Sequence, residues 1–187
     1  RLHDRRKVMK ELVDILKHTK THLMNGVSYM IPVVVGGGIL MAIAVLLTGE
    51  GAAPGWGSGI PYWLWTIGVD ALGLMCPVFA AYIAFSIADR PGIAVGMAGG
   101  FMALNIPTGF ADGAVTTASA GFIGAAIAGL LGGIIAHYLK KIPLPKSMQS
   151  LKSIIIIPVI GVLAVGIIMF AFGTPIAAFM TWLEDVM

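Results

Sequence analysis

Apolar and polar residues occur in long blocks along this chain, and the first boundary between blocks follows residue 24. Before it, residues 1–24 place Val8, Leu12 and Ile15 at helical spacing among basic side chains, which predicts an amphipathic helix. After it, an apolar run of about 21 residues continues to Leu47, long enough as a helix to cross roughly 30 Å of hydrocarbon. The pattern therefore predicts an amphipathic leader followed by a first membrane span.

Four further apolar runs follow the first one. The five predicted spans are about 27–47, 62–88, 92–106, 121–139 and 153–173. The third is too short to cross a bilayer unaided, so we expect it to continue irregularly or to be covered by protein. The predicted fold class is an all-α integral membrane protein with about five transmembrane helices. A cytoplasmic amphipathic leader, 1–24, precedes a membrane domain, 25–187.

The composition excludes an ordinary soluble domain. Apolar residues make up 58% of the chain against 11% charged residues, and 25 of the 187 residues are glycine. The net charge of +3 is concentrated at the ends of the predicted spans, so it indicates membrane topology and no nucleic-acid partner. The single cysteine, Cys76, cannot form an internal disulfide.

The twelve Lys and Arg residues predict the orientation. Seven precede the first span, Arg90 lies between the second and third, and the others lie between the fourth and fifth. All of them therefore fall on the side of the membrane that holds the N-terminus. The positive-inside rule places that side in the cytoplasm and the loops 48–61, 107–120 and 174–187 outside. The basic leader fits either a helix on an anionic leaflet or a plain linker helix.

Two stripes of small residues recur every fourth position in spans three and four. The predicted packing glycines are Gly92, Gly96 and Gly100 in one stripe and Gly121, Gly129 and Gly133 in the other. Small residues at this interval allow helix backbones to approach closely in lipid, so we expect spans three and four to pack through these faces and to support self-association. The alternative is that glycine is simply frequent in this chain.

Candidate chemistry is sparse. Asp70 is the only acid within an apolar run, so it is the candidate substrate-binding residue, although it lies near the outer end of its span, where water can reach it. His18 and His22 are one helical turn apart, but a zinc site needs three or four ligands, so we predict no metal. We predict no catalytic residue and no cofactor.

Several motifs resemble the fructose family of enzyme IIC, the membrane subunit of the phosphoenolpyruvate-dependent sugar phosphotransferase system. One is Gly-Val-Ser-Tyr-Met-Ile-Pro, beginning at Gly26. A second is Ala-Tyr-Ile-Ala-Phe-Ser-Ile-Ala-Asp-Arg-Pro-Gly, which runs over 81–92 and is followed by Gly-Gly-Phe at 99–101. A third is Lys-Lys-Ile-Pro-Leu-Pro from Lys140. The resemblance extends over about residues 20–175.

This resemblance implies a bacterial inner-membrane permease that takes up fructose or a similar sugar and presents it to a phosphorylated IIB domain. The implied partners are that IIB domain, the sugar, the lipid bilayer and a second copy in a homodimer. The chain is expected to be part of a sugar phosphotransferase without being catalytic alone. The phosphorylatable cysteine of the family belongs to IIB, and nothing in this sequence matches it.

Relatives in this family are about twice as long and carry an Ile-Thr-Glu-Gly motif that this sequence lacks. The expectation is therefore an incomplete half of the carrier; the alternatives are a non-transporting assembly module and a fragment of a secondary transporter. The Asp89-Arg90 turn fits either a plain hairpin or a docking or gating loop, and the side chain of its aspartate can bond the local backbone.

Overall fold

The computed structural model describes residues 2–48, 59–111, 114–143 and 151–186. The helices in this part of the chain are α1 (Leu2–Lys17), α2 (Thr19–Thr48), α3 (Ile60–Gly73), α4 (Met75–Ala88), α5 (Arg90–Leu104), α6 (Gly121–Lys141) and α7 (Ile157–Val186). A π-helical turn, Lys152–Ile156, leads into α7, and two strands, β1 (Ile106–Ala111) and β2 (Ala114–Ala118), lie between α5 and α6. Lys146 and most of the predicted loop 48–61 lie outside the described residues.

Four helical segments are long and apolar enough to cross a membrane. They are Thr19–Thr48, Ile60–Ala88, Gly121–Lys141 and Lys152–Ile176. The predicted third span is α5, which has only 15 residues. The all-α class with transmembrane-length helices is therefore confirmed, while the predicted count of five becomes four long helices and one short one in the described residues.

The second predicted span is interrupted at Leu74, between α3 and α4. Pro77 occupies the third position of α4 and has no N–H group to donate to the carbonyl of Gly73, four residues earlier. The N–H of Leu74 instead bonds the carbonyl of Ala71 at 3.2 Å, which closes α3 in a tighter turn. The break between α3 and α4 thus lies about one turn before the proline.

A β-hairpin occupies most of the predicted loop 107–120. Its strands pair antiparallel from Ile106 opposite Ala118 to Ala111 opposite Ala114, with a register shift after Pro107. A proline cannot donate to the ladder, which is why prolines in sheets occur at such irregularities. The N–H of Ala120 donates to the carbonyl of Ala103 at 2.8 Å, so the hairpin closes where α5 ends.

The chain divides into two compact units. The smaller unit is Val27–Met75 and the larger unit comprises Arg1–Gly26 and Cys76–Met187. In the smaller unit, α2 and α3 approach closely at Gly37 and Gly68. A Cβ atom on Gly37 would lie 2.8 Å from the carbonyl oxygen of Gly68, so only glycine allows this approach.

In the larger unit, the glycine stripe of α5 faces α4. Cβ atoms on Gly92 and Gly96 would each lie 2.5 Å from an α4 carbonyl oxygen, and one on Gly100 would lie 2.8 Å from another. The stripe was predicted to face α6. The reason for the difference is that α4 presents alanines along its buried face, including Ala80 and Ala84, which leave room for a neighbouring backbone.

The stripe of α6 also meets α4. Cβ atoms on Gly129 and Gly133 would lie 2.8 Å from atoms of Ala80 and Ile87. Helices α5 and α6 do pack together, but through Gly132, whose added Cβ would lie 3.3 Å from Gly96. Gly121 differs from the rest of its stripe, because its φ of 55° makes it the turn that begins α6 instead of a helix contact.

The buried face of α4 is rich in small residues, whereas the exposed face of α7 carries large apolar side chains. The α4 alanines are fully buried, whereas Val159, Leu163 and Ile167 on α7 are 61–63% exposed. Exposed apolar faces of this extent are a liability in water but fit a hydrocarbon solvent, where close packing depends on small residues. The burial pattern thus agrees with the membrane class predicted from composition.

Candidate functional site

The turn between α4 and α5 holds a backbone conformation that is rare outside glycine. Asp89 has φ 60° and ψ −152°. Its N–H donates to the carbonyl of Phe85 at 2.8 Å, and its own carbonyl accepts from the N–H of Gly92 at 2.9 Å. A non-glycine residue in this region stores roughly 1–3 kcal/mol of strain, so its surroundings must hold it in place.

Two ion pairs join this turn and α1 to the end of α6. The Asp89 carboxylate makes no capping hydrogen bond to the start of α5; it accepts a hydrogen bond from Lys140 Nζ at 2.6 Å. The adjacent Lys141 ammonium donates to the Glu11 carboxylate of α1. This hydrogen bond lowers the pKa of Glu11, because the Lys141 ammonium favours the ionised carboxylate. Three segments distant in sequence therefore meet at one end of the larger unit.

Lys152 is the buried cation of this region, with 9% of its surface exposed. Its ammonium donates to the carbonyl oxygens of Lys140 and Ile142. The last carbonyls of a helix have no partner within the helix, so Lys152 caps the end of α6. From the sequence alone this lysine is recognisable only as a charge that marks topology, so its role as a cap could not be predicted.

A cleft of about 460 Å³ opens beside these lysines. We call it the basic cleft; it is lined by Pro91, Lys140, Lys141, Ile142, Pro143, Lys152, Ser153 and Ile157. Three of the lining side chains are cationic and none is acidic. The cleft is therefore suited to an anion.

Two polar contacts connect the beginning of α2 with α4. His22 Nδ1 lies 2.7 Å from Ser86 Oγ, and Asn25 Nδ2 donates to the carbonyl of Tyr82 at 3.1 Å. The sequence spacing of His22 suggested only half of a metal site. These partners are separated by 64 and 57 residues, so no local sequence pattern could have identified them.

The remaining predicted site residues are dispersed. Asp70 lies on α3 in the smaller unit with an exposed side chain, and its role as a sugar ligand stays a prediction. Arg90 is the first residue of α5 and is also exposed. Within the described residues, no group of three or more His, Cys, Asp and Glu side chains is arranged to hold a metal ion.

Comparison with known proteins links this chain to one family. A family model described as "Phosphotransferase system, EIIC" matches residues 24–185. The matched range contains the Asp89 turn and the basic cleft, whereas α1 precedes it. No solved structure matches.

Three curated relatives show the extent of the similarity. The "Fructose-like permease IIC component 2" of Escherichia coli (strain K12) is 47% identical over 173 residues, covering 91% of this chain and 45% of that protein. The "PTS system fructose-specific EIIABC component" of Bacillus subtilis (strain 168) is 42% identical over 175 residues, covering 88% and 26%. The "PTS system fructose-specific EIIB'BC component" of Xanthomonas campestris pv. campestris is 44% identical over 165 residues, covering 87% and 27%. The chain spans less than half the length of each of these relatives.

Proposed function

Because this chain belongs to the EIIC family of the phosphotransferase system and is thus a multi-pass membrane protein, we propose that it forms part of a sugar permease for fructose or a fructose-like sugar. The observation that carries the proposal is the family match over 24–185, which includes three of the four helices of transmembrane length in the described residues and most of the first. The names of the Bacillus and Xanthomonas relatives specify fructose and place a B component in the same polypeptide. These names support coupling of uptake to phosphorylation by a IIB domain.

The proposal places the IIB domain at the basic end of the larger unit. The pairs Lys140–Asp89 and Lys141–Glu11 gather α1, the α4–α5 turn and the end of α6 there. These three segments, with the start of α2 and the link to α7, contain all the Lys and Arg residues of the chain except Arg1, which directly precedes α1. The positive-inside rule then supports a cytoplasmic N-terminus in a bacterial inner membrane, with Asp89 and the exposed Arg90 as docking or gating residues.

Pairing with a second copy is also part of the proposal. Apart from Gly121, the glycines of the two stripes are buried within the larger unit, against helices of the same chain. The exposed apolar faces of the helices are the surfaces left for a homodimer, and lipid covers whatever part of them a second copy does not.

A chimera tests the proposed function. Residues 24–185 would replace the matching segment of the Bacillus fructose-specific EIIABC component, which supplies the B component within the same polypeptide. We expect membranes that contain the chimera to form fructose phosphate when supplied with the phosphorylated general carrier of the system. The same protein with the segment deleted is the control and is expected to form none.

Other outcomes separate the competing functions. Ion-coupled accumulation of unmodified fructose would support a secondary transporter. A chimera that inserts into the membrane at the parent level but neither phosphorylates nor accumulates fructose would support a non-transporting assembly module. Either result would contradict the proposed phosphotransferase role.

A further inference from the structure

Toward the described residues, the buried ammonium of Lys152 uses two of its three hydrogen-bond donors. It directs these two to the carbonyl oxygens of Lys140 and Ile142. Within the described residues, no carboxylate lies within ion-pair distance of Lys152. The sequence between Ile142 and Lys152 contains no Asp or Glu either. A buried cation is costly unless it is paired, so this site favours a counter-anion.

The two lysines at the rim of the basic cleft reinforce this preference. The side chains of Lys140 and Lys141 are 48% and 42% exposed, and each holds its carboxylate partner in an exposed ion pair. Such pairs contribute only about 0–1 kcal/mol, so an incoming anion can share these ammonium groups at little cost. Neither carboxylate partner, Asp89 or Glu11, lines the cleft.

We propose that the basic cleft binds a phosphate group, carried either by an anionic phospholipid or by a soluble phosphate compound. A phosphate offers several strong acceptor oxygens, which can bond several ammonium groups and the Ser153 hydroxyl at once. The cleft volume of about 460 Å³ also leaves room for the group attached to the phosphate. The cleft lies at the ends of helices of transmembrane length, the level at which lipid phosphates are found.

Binding to the purified chain in a neutral detergent tests this proposal. The probes are short-chain phosphatidylglycerol, short-chain phosphatidylcholine and inorganic phosphate, measured by native mass spectrometry for lipids and by calorimetry for phosphate. The variants are Lys152→Met and Lys141→Gln. Loss of one charged hydrogen bond is expected to weaken binding of the phosphate-bearing probe about tenfold. Lys20→Gln, which removes an exposed lysine that does not line the cleft, is the control and is expected to bind like the parent.

Each outcome decides the proposal. Selective binding of phosphatidylglycerol identifies a lipid phosphate, and binding of inorganic phosphate identifies a soluble one; both support the cleft if the two variants bind more weakly. Lys152→Met also removes the cap of α6, so if that variant fails to fold, Lys141→Gln alone decides. The proposal is overturned if no phosphate probe binds the parent, if Lys141→Gln binds as the parent does, or if Lys20→Gln loses as much affinity. The binding experiment does not measure transport, so a negative result would not contradict the proposed function.

Discussion

At the residue scale, Asp89 combines a strained backbone conformation with a charged side chain that pairs with Lys140. Among the described residues, it is the only non-glycine with a positive φ, and it connects two apolar helices. Glycine would fit the backbone without strain, but it would leave Lys140 without its carboxylate partner. The aspartate therefore retains a charge at a turn whose geometry favours glycine, which agrees with a role in docking or gating.

Two substitutions at Asp89 separate the effect of backbone strain on stability from the effect of the lost carboxylate. Asp89→Gly and Asp89→Ala both remove the partner of Lys140, but only glycine adopts φ 60° freely. We expect the glycine variant to be more stable than the alanine variant by about 1–2 kcal/mol. Thermal unfolding of both variants in the same detergent measures the difference. Equal unfolding temperatures would show that the turn is unstrained, and Lys140→Gln controls for the lost ion pair.

At the element scale, the close approach of α4 and α5 depends on glycine at defined positions. A Cβ atom on Gly96 would lie 2.5 Å from the carbonyl oxygen of Ala80, whereas one on Gly38 of α2 would meet nothing within 4 Å. Gly96→Ala is therefore expected to lower stability by about 1–3 kcal/mol through overpacking. Gly38→Ala is the matched control, expected to be neutral or to stabilise α2 by up to about 1 kcal/mol.

The effect of Gly96→Ala is expected in folding and not in association, because the glycine is buried against helices of its own chain. Thermal unfolding measures the first, and cross-linking in detergent measures the second. A variant that unfolds like the parent but no longer cross-links would contradict this expectation. It would indicate that the α5 stripe forms a contact between two copies of the chain. Stability changes of opposite sign for Gly96→Ala and Gly38→Ala would confirm that the position of a glycine, and not the number of glycines, determines the packing.

Hydropathy predicted the long helices because a span is a local property of about 20 consecutive residues. It did not predict the partner of the α5 stripe, because that choice depends on the alanines of α4 as well as on the glycines of α5. The hairpin after Leu104 was also missed, since its strands contain glycine, proline and alanine, which are poor strand formers. The cap formed by Lys152 joins residues across a connecting segment, and the sequence showed only its charge.

At the scale of the whole molecule, the distribution of charge is the feature that links sequence to placement in the membrane. All twelve Lys and Arg residues lie before the first span or in connections on the same predicted side. In the structure, Lys140 and Lys141 contact acidic partners on the α4–α5 turn and on α1. These contacts require the three segments to share one side of any membrane that the helices cross.

Reporter fusions at two described positions test the orientation that follows. We expect a reporter fused after Lys141 to be active in the cytoplasm, because the cluster of cations around it is retained on that side. A reporter fused after Ala111, in the hairpin, should be active only outside, because α5 runs from the basic end to the hairpin and α6 returns from the hairpin to the basic end. Fusions after Lys141 in a chain whose leader lysines are changed to glutamine test whether those charges set the orientation. An external reporter after Lys141 in the unchanged chain would overturn the positive-inside argument, and with it the placement of a IIB domain at the basic end.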